Sequence, residues 1–307
     1  MTGQVLEVRN LSKWFGQVRA VDDLTFDVAP GRVTGFLGPN GAGKTTTLRC
    51  LLGLVSPTSG DVLIGGQRYR DLDHPLRTVG AVLESSSFHP GRSARNHLTY
   101  LAQALGVGPD RVRDVIAMVG MQEYADRRAG GFSLGMRQRL GLAQAMLGDP
   151  EVLLLDEPSN GLDPGGVAWL RGFLRTLAAE GRTVLVSSHV LGEVQQTADD
   201  IVLLARGRLV TRGALADLEA AQTSVLVRST DRDRLAGLLA HQDSTPAVEA
   251  VGGDGLRIAG WTTDEIGRLA HREGVELLEL SNQPGALERL FLELTTDVPA
   301  PTGEVPA

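Results

Sequence analysis

Gly38-Pro39-Asn40-Gly41-Ala42-Gly43-Lys44-Thr45-Thr46, read as GPNGAGKTT, is the stretch on which the fold turns. It fits the pattern G-x-x-x-x-G-K-[ST]. A strand-like run, VTGFL, precedes it and a helical run, KTTTLRCLLGL, follows, which is the context the pattern requires. Glycines there let backbone N–H groups turn inward around phosphates, and a helix N-terminus adds positive potential. Of the 30 basic residues only Lys13 and Lys44 are lysines. A chain so biased to arginine keeps lysine at 44 because a compact ammonium reaches the β- and γ-phosphate oxygens, where a broad planar fork would collide with the loop. Thr45 is placed to offer its hydroxyl to Mg²⁺. Lys13, in LSKWFG, reads as a solvated surface residue.

Outward from this loop, short aliphatic runs alternate with longer periodic segments, the pattern of βα units around a mostly parallel sheet. VLEVRNL, LTFDVAP and VTGFLG read as early strands, residues 93–147 as mainly helical, and EVLLLDEP to RLVTRG as a second alternation. Near residue 222 the pattern changes to strand, helix, strand, strand, helix, strand and a last helix over 285–295. Without that helix the order is the βαββαβ of a ferredoxin-like unit. The boundaries predicted are 1–221, 222–295 and a disordered tail, 296–307, rich in Pro and small residues.

Composition narrows the function. A net charge of −7 argues against broad nucleic-acid binding. The single cysteine, Cys50, excludes an intrachain disulfide framework and reads as core filler. The start of the chain has no signal-peptide pattern and no run of about 18 apolar residues occurs, so work at a membrane requires a partner.

Two further stretches carry chemistry. In EVLLLDEP, Val152 to Leu155 read as a buried parallel strand with Asp156 at its carboxyl end, where ligands bind in such sheets. Asp156 is a Mg²⁺ ligand candidate, direct or through water, and Glu157 a base for the attacking water. In GGFSLGMRQRLGLAQAML, Ser133 reads as an N-cap, and the same geometry offers a hydroxyl and free amides to an anion.

Together these stretches resemble the ATPase subunit of an ATP-binding cassette (ABC) transporter, over about residues 5–220. Phe15 matches the aromatic that stacks on adenine, residues 38–46 the Walker A loop, and 152–157 Walker B with its catalytic glutamate. Phe132 to Met136 match the signature, with Ser133 and Gly135 retained but Leu134 and Met136 in place of Gly and Gln. Asp163 falls in the D-loop and His189 on the switch histidine. Glu84 stands at the Q-loop glutamine as a further Mg²⁺ ligand candidate, a carboxylate resembling the exporter branch that includes antibiotic-resistance ATPases.

The resemblance implies a P-loop α/β core of RecA type, an antiparallel β subdomain and a helical subdomain, followed by the small α+β domain. It also implies Mg²⁺ with ATP and a head-to-tail homodimer in which each signature completes the other's Walker A site. Separate integral-membrane permease subunits would dock near residues 85–110, at the cytoplasmic face of the cell membrane. An importer ATPase is the near alternative. Translation-type cassettes, with two per chain, and repair types, with coiled-coil insertions, do not fit one cassette with about 90 residues between loop and signature.

Overall fold

The computed structural model describes residues 3–83, 88–220, 224–242, 246–283 and 286–296. The chain divides into two compact units, Met1–Ala214 and Leu215–Ala307, seven residues ahead of the boundary read from the change of pattern.

The first unit opens with β1 (Leu6–Phe15), β2 (Val18–Val28), β3 (Val33–Leu37), α1 (Lys44–Leu51) and β4 (Ser59–Ile64). Then come α2 (Pro75–Thr78), β5 (Val79–Val82), α3 (Ala94–Leu105), α4 (Pro109–Met118) and α5 (Leu134–Ala145). It closes with β6 (Val152–Leu155), α6 (Pro164–Ala179), β7 (Thr183–Ser188), α7 (Leu191–Thr197), β8 (Asp200–Ala205) and β9 (Arg208–Ala214). β3, β6 and β7 are buried along their whole length, as strands covered on both faces must be. They form a six-stranded sheet in the order β5-β6-β7-β3-β8-β9, parallel except for the β8–β9 edge.

A second, antiparallel sheet has the order β2-β1-β4. It buries Leu6, Val8, Phe26 and Val28 in one cluster with Phe36 of β3 and Leu48 of α1. Phe26 and Phe36 lie 5.3 Å apart between ring centroids, joining the two sheets. Cys50 is buried in the same cluster, as its apolar setting predicted.

The second unit contains α8 (Leu215–Ala220), β10 (Ser224–Ser229), α9 (Arg232–Ala240), β11 (Ala247–Val251) and β12 (Gly255–Ala259). α10 (Thr263–Arg272), β13 (Leu277–Gln283) and α11 (Ala286–Thr296) complete it. Its sheet runs β11-β12-β10-β13, antiparallel throughout, the ladder expected of a ferredoxin-like βαββαβ unit. Val225, Val227, Leu256 and Ile258 pack with Leu235, Leu239, Ile266 and Leu269 of its helices. Among the described residues no helix is long and apolar enough to cross a membrane. The tail predicted beyond 296 lies outside the described residues.

Candidate active site

Parallel pairing aligns strand ends: Leu37 of β3 is level with Ser188 of β7, and Leu155 of β6 with Val186. The loops leaving β3, β6 and β7 therefore open on one edge, which gathers residues from three distant parts of the sequence.

The loop after β3 begins α1 at Gly43, which has φ +102° and no side-chain cap. A Cβ on Gly43 would stand 2.6 Å from the Ala20 carbonyl oxygen, so both the backbone angle and the close approach call for glycine. The first N–H groups of α1 are those a helix leaves without an intrahelical acceptor, and no acidic side chain occupies its first turn. Lys44 is 6% exposed. Its Nζ donates to the carbonyls of Gly38 at 2.6 Å and Pro39 at 3.3 Å, and lies 3.2 Å from Glu157 Oε1. The three donors of the ammonium thus meet two loop carbonyls and the Glu157 carboxylate.

Asp156 ends β6. Its Oδ2 accepts from Thr45 Oγ1 at 2.6 Å and its Oδ1 from Ser187 Oγ at 2.5 Å. The same serine oxygen accepts from the Glu157 N–H at 2.9 Å. Glu157 adopts φ +48°, a left-handed conformation that costs a side chain roughly 1–2 kcal/mol and marks a bend imposed by its surroundings. Its Oε2 stands 2.7 Å from His189 Nδ1. A carboxylate only accepts, so Nδ1 carries the proton and Nε2 is the nitrogen left to face a ligand.

Lys44, Thr45, Asp156, Glu157 and His189 thus form one hydrogen-bonded group. Ser187 ties it together and had no role assigned from sequence. The available signal was two buried polar residues ending an apolar strand, but the β6–β7 adjacency that gives them meaning is tertiary. Thr45 and Asp156 present hard oxygen donors in contact with each other, a set suited to Mg²⁺.

The other expected residues lie apart from this group. Ser133 caps α5, its Oγ accepting from the Met136 N–H at 3.3 Å, so its capping role is realised. Asp163 caps α6, accepting from the Gly166 N–H at 2.7 Å. Leu134 reaches over Gly161, where an added Cβ would stand 2.1 Å from Leu134 Cδ2. Arg139, next along α5, lies 3.8 Å over the Trp169 ring of α6. The stretch around the signature and the segment leading into α6 are therefore packed together. Burial there lowers the Arg139 guanidinium's proton affinity from its ordinary value, partly offset by Asp163. Phe15 sits half exposed on the β1–β2 hairpin. Lys13, expected in solvent, is instead anchored: its Nζ donates to the Ser56 carbonyl at 2.8 Å and lies 4.9 Å from the Phe15 ring centre. Glu84 lies outside the described residues.

A phosphate-type loop on the central strand, with an Asp–Glu pair and a histidine supplied by β6 and β7, defines a P-loop ATPase cassette. Residues 21–160 match the family described as ABC transporter, and residues 223–288 a domain of unknown function (DUF8746). The bacitracin transport ATP-binding protein BcrA of Bacillus licheniformis is 34% identical over 94% of this chain and 97% of its own length. The lantibiotic transport ATP-binding protein SrtF of Streptococcus pyogenes is 36% identical over 67% and 89%. Among solved structures, an ATP-binding subunit of an ABC transporter superposes with a TM-score of 0.63 at 29% identity, covering 70% of this chain and 92% of that one. The chain belongs to the ABC transporter family, as one of its ATP-binding proteins.

Proposed function

We propose that this chain is the ATP-hydrolysing subunit of an exporter, and that two copies close head to tail on ATP to drive membrane subunits made as separate polypeptides. The observation that carries this reading is the convergence of Lys44, Thr45, Asp156, Glu157 and His189 at the carboxyl ends of three adjacent parallel strands.

In this reading the α1 N-terminus and the amides from Gly38 to Thr46 take the α- and β-phosphates, and Lys44 exchanges its carbonyl partners for β- and γ-oxygens. Phe15 stacks on the adenine. Thr45 and Asp156 would hold Mg²⁺, whose charge would offset that of the phosphate oxygens. Glu157 accepts a proton from the water that attacks the γ-phosphorus, the bond to the ADP oxygen breaks, and ADP and phosphate leave. His189, held through Nδ1, turns Nε2 toward the γ-phosphate. Ser133 and the α5 N-terminus complete the cradle of the other copy, with Gly135 and Met136 beside them and Asp163 at the seam. Glu84 would serve as a further Mg²⁺ ligand or hold its water.

Division of labour follows the sequence boundary, with the ATPase in 1–221 and an appended domain in 222–295. An apolar cleft of about 350 Å³, lined by Leu52, Leu54, Leu83 and Phe88 among others, suits a helix of the membrane partner, which would dock near residues 85–110. The chain would work at the cytoplasmic face of the cell membrane. Among the cargo classes considered, a hydrophobic drug, antibiotic or lipid, relatives named for bacitracin and lantibiotic transport favour an antibiotic.

Affinity capture of the Glu157→Gln chain from detergent-solubilised membranes of its own cells, with ATP present, tests this reading. A stoichiometric polytopic partner supports it, and a soluble partner in its place overturns it.

A further inference from the structure

Two lysines survive in a chain whose other basic residues are arginines, and the phosphate loop accounts for one. The other, Lys13, projects from β1 two residues before Phe15, on the hairpin that carries that ring. A register irregularity between Lys13 and Trp14 re-aims the strand tip. Lys13 Nζ then sits 4.9 Å from the Phe15 centroid and donates to the Ser56 carbonyl at 2.8 Å. Ser56 lies in the loop that leaves α1, and two more bonds fasten that loop to β1. The Thr58 N–H donates to the Ser12 carbonyl at 2.8 Å, and the Trp14 N–H to Thr58 Oγ1 at 3.1 Å.

Phe15 is 50% exposed, so core packing does little to fix its ring. A loose ring must be ordered when a ligand stacks on it, and that ordering subtracts from affinity. The neighbouring aromatic, Trp14, has its own cation, Arg19 at 4.8 Å, but that guanidinium is committed to Asp22 at 2.6 Å.

We propose that Lys13 is a positioning residue for base recognition. Its ammonium, pinned by the Ser56 carbonyl, covers one side of the Phe15 ring and holds the other ready for the purine. A cation on one face of the ring also withdraws electron density from the opposite face, which suits stacking by an electron-rich base. Here the Lys13 ammonium donates to a carbonyl and lies over a ring at once. The inference rests on Phe15 being the adenine contact.

Calorimetry with Mg-ADP and with magnesium pyrophosphate, on the wild-type chain, Lys13→Met, Phe15→Ala and the double variant, tests it. ADP probes the base without turnover, and pyrophosphate probes the cradle alone. Lys13→Met should weaken ADP binding about two- to five-fold, the scale of a partly exposed cation–π contact, and leave pyrophosphate binding unchanged. In the Phe15→Ala background the same change should have no effect. Equal loss for both ligands, persistence of the loss without Phe15, or no loss at all each overturns the role of Lys13. If Phe15→Ala itself leaves ADP affinity intact, the adenine-stacking assignment fails first and takes this one with it.

Discussion

Replacing Glu157 by glutamine separates the chemistry of the site from its architecture. In the folded chain the carboxylate takes two partners, Lys44 Nζ at 3.2 Å on Oε1 and His189 Nδ1 at 2.7 Å on Oε2. An amide of the same shape can keep both contacts: its oxygen accepts from Lys44, and its nitrogen donates to His189 once the imidazole proton moves to Nε2. What is lost is the charge. A charge-assisted hydrogen bond contributes roughly 1.5–3 kcal/mol against about 1 for a neutral one, and relief of carboxylate burial offsets part of the difference. Stability should therefore shift by no more than about 1–2 kcal/mol. Turnover should respond far more strongly, because a general base contributes about 10²- to 10⁴-fold, or roughly 3–5 kcal/mol of barrier. Steady-state phosphate release, ATP binding by calorimetry and denaturant unfolding on the same preparation measure all three quantities. The expected result is near-normal folding, retained ATP binding, an ATP-trapped dimer and turnover reduced at least a hundredfold. Hydrolysis within tenfold of wild type would refute Glu157 as the base, whatever happened to stability.

Lys44→Ala removes the ammonium at the centre of the loop and should weaken ATP binding at least tenfold by calorimetry; unchanged affinity would refute the phosphate cradle. Asp156→Ala removes the acceptor shared by Thr45 and Ser187 and should raise the Mg²⁺ concentration needed for half-maximal turnover, while EDTA should stop the wild-type enzyme; an unchanged Mg²⁺ titration would exclude Asp156 as a ligand. Gly161→Ala puts a methyl on Leu134 at a residue with φ +70°, so a loss of about 1 kcal/mol or more is expected in unfolding, and Leu134→Ala in the same chain should recover part of it. In the second unit, backbone and hydroxyl bonds from Thr262 hold the Glu265 carboxyl below its ordinary value. A lowered folded value means this contribution is complete above the unfolded carboxylate range near 4.3 and fades as pH falls through the folded one. Thermal melts of Thr262→Ala should therefore lie below wild type at every pH, because the cap bond to the Glu265 N–H does not titrate, and the gap should narrow in acid without closing, as only the hydroxyl bond to the carboxylate is lost there.

The sequence alone singled out the residues proposed to bind phosphate and the kind of strand that carries them. GPNGAGKTT admits few backbones, because Gly43 needs φ +102° beside the Ala20 carbonyl and a lysine is retained among arginines. VLLL followed by Asp-Glu reads as a buried strand with its acids at the ligand end, since only strands covered on both faces lack polar alternation. The βαββαβ order of the second unit was legible because its turns and periods are local. Tertiary structure decided the rest. Strand order is non-local, and it is the placement of β7 between β3 and β6 that lets Ser187 bridge Asp156 and Glu157. The left-handed turn at Glu157 and the packing of Leu134 over Gly161 depend on neighbours more than 20 residues away. Lys13 shows the limit most clearly. In sequence it is a polar residue on a half-exposed strand, and only the folded hairpin brings its ammonium to the Ser56 carbonyl and the Phe15 ring, because two-residue spacing cannot report what a neighbouring loop places against the strand.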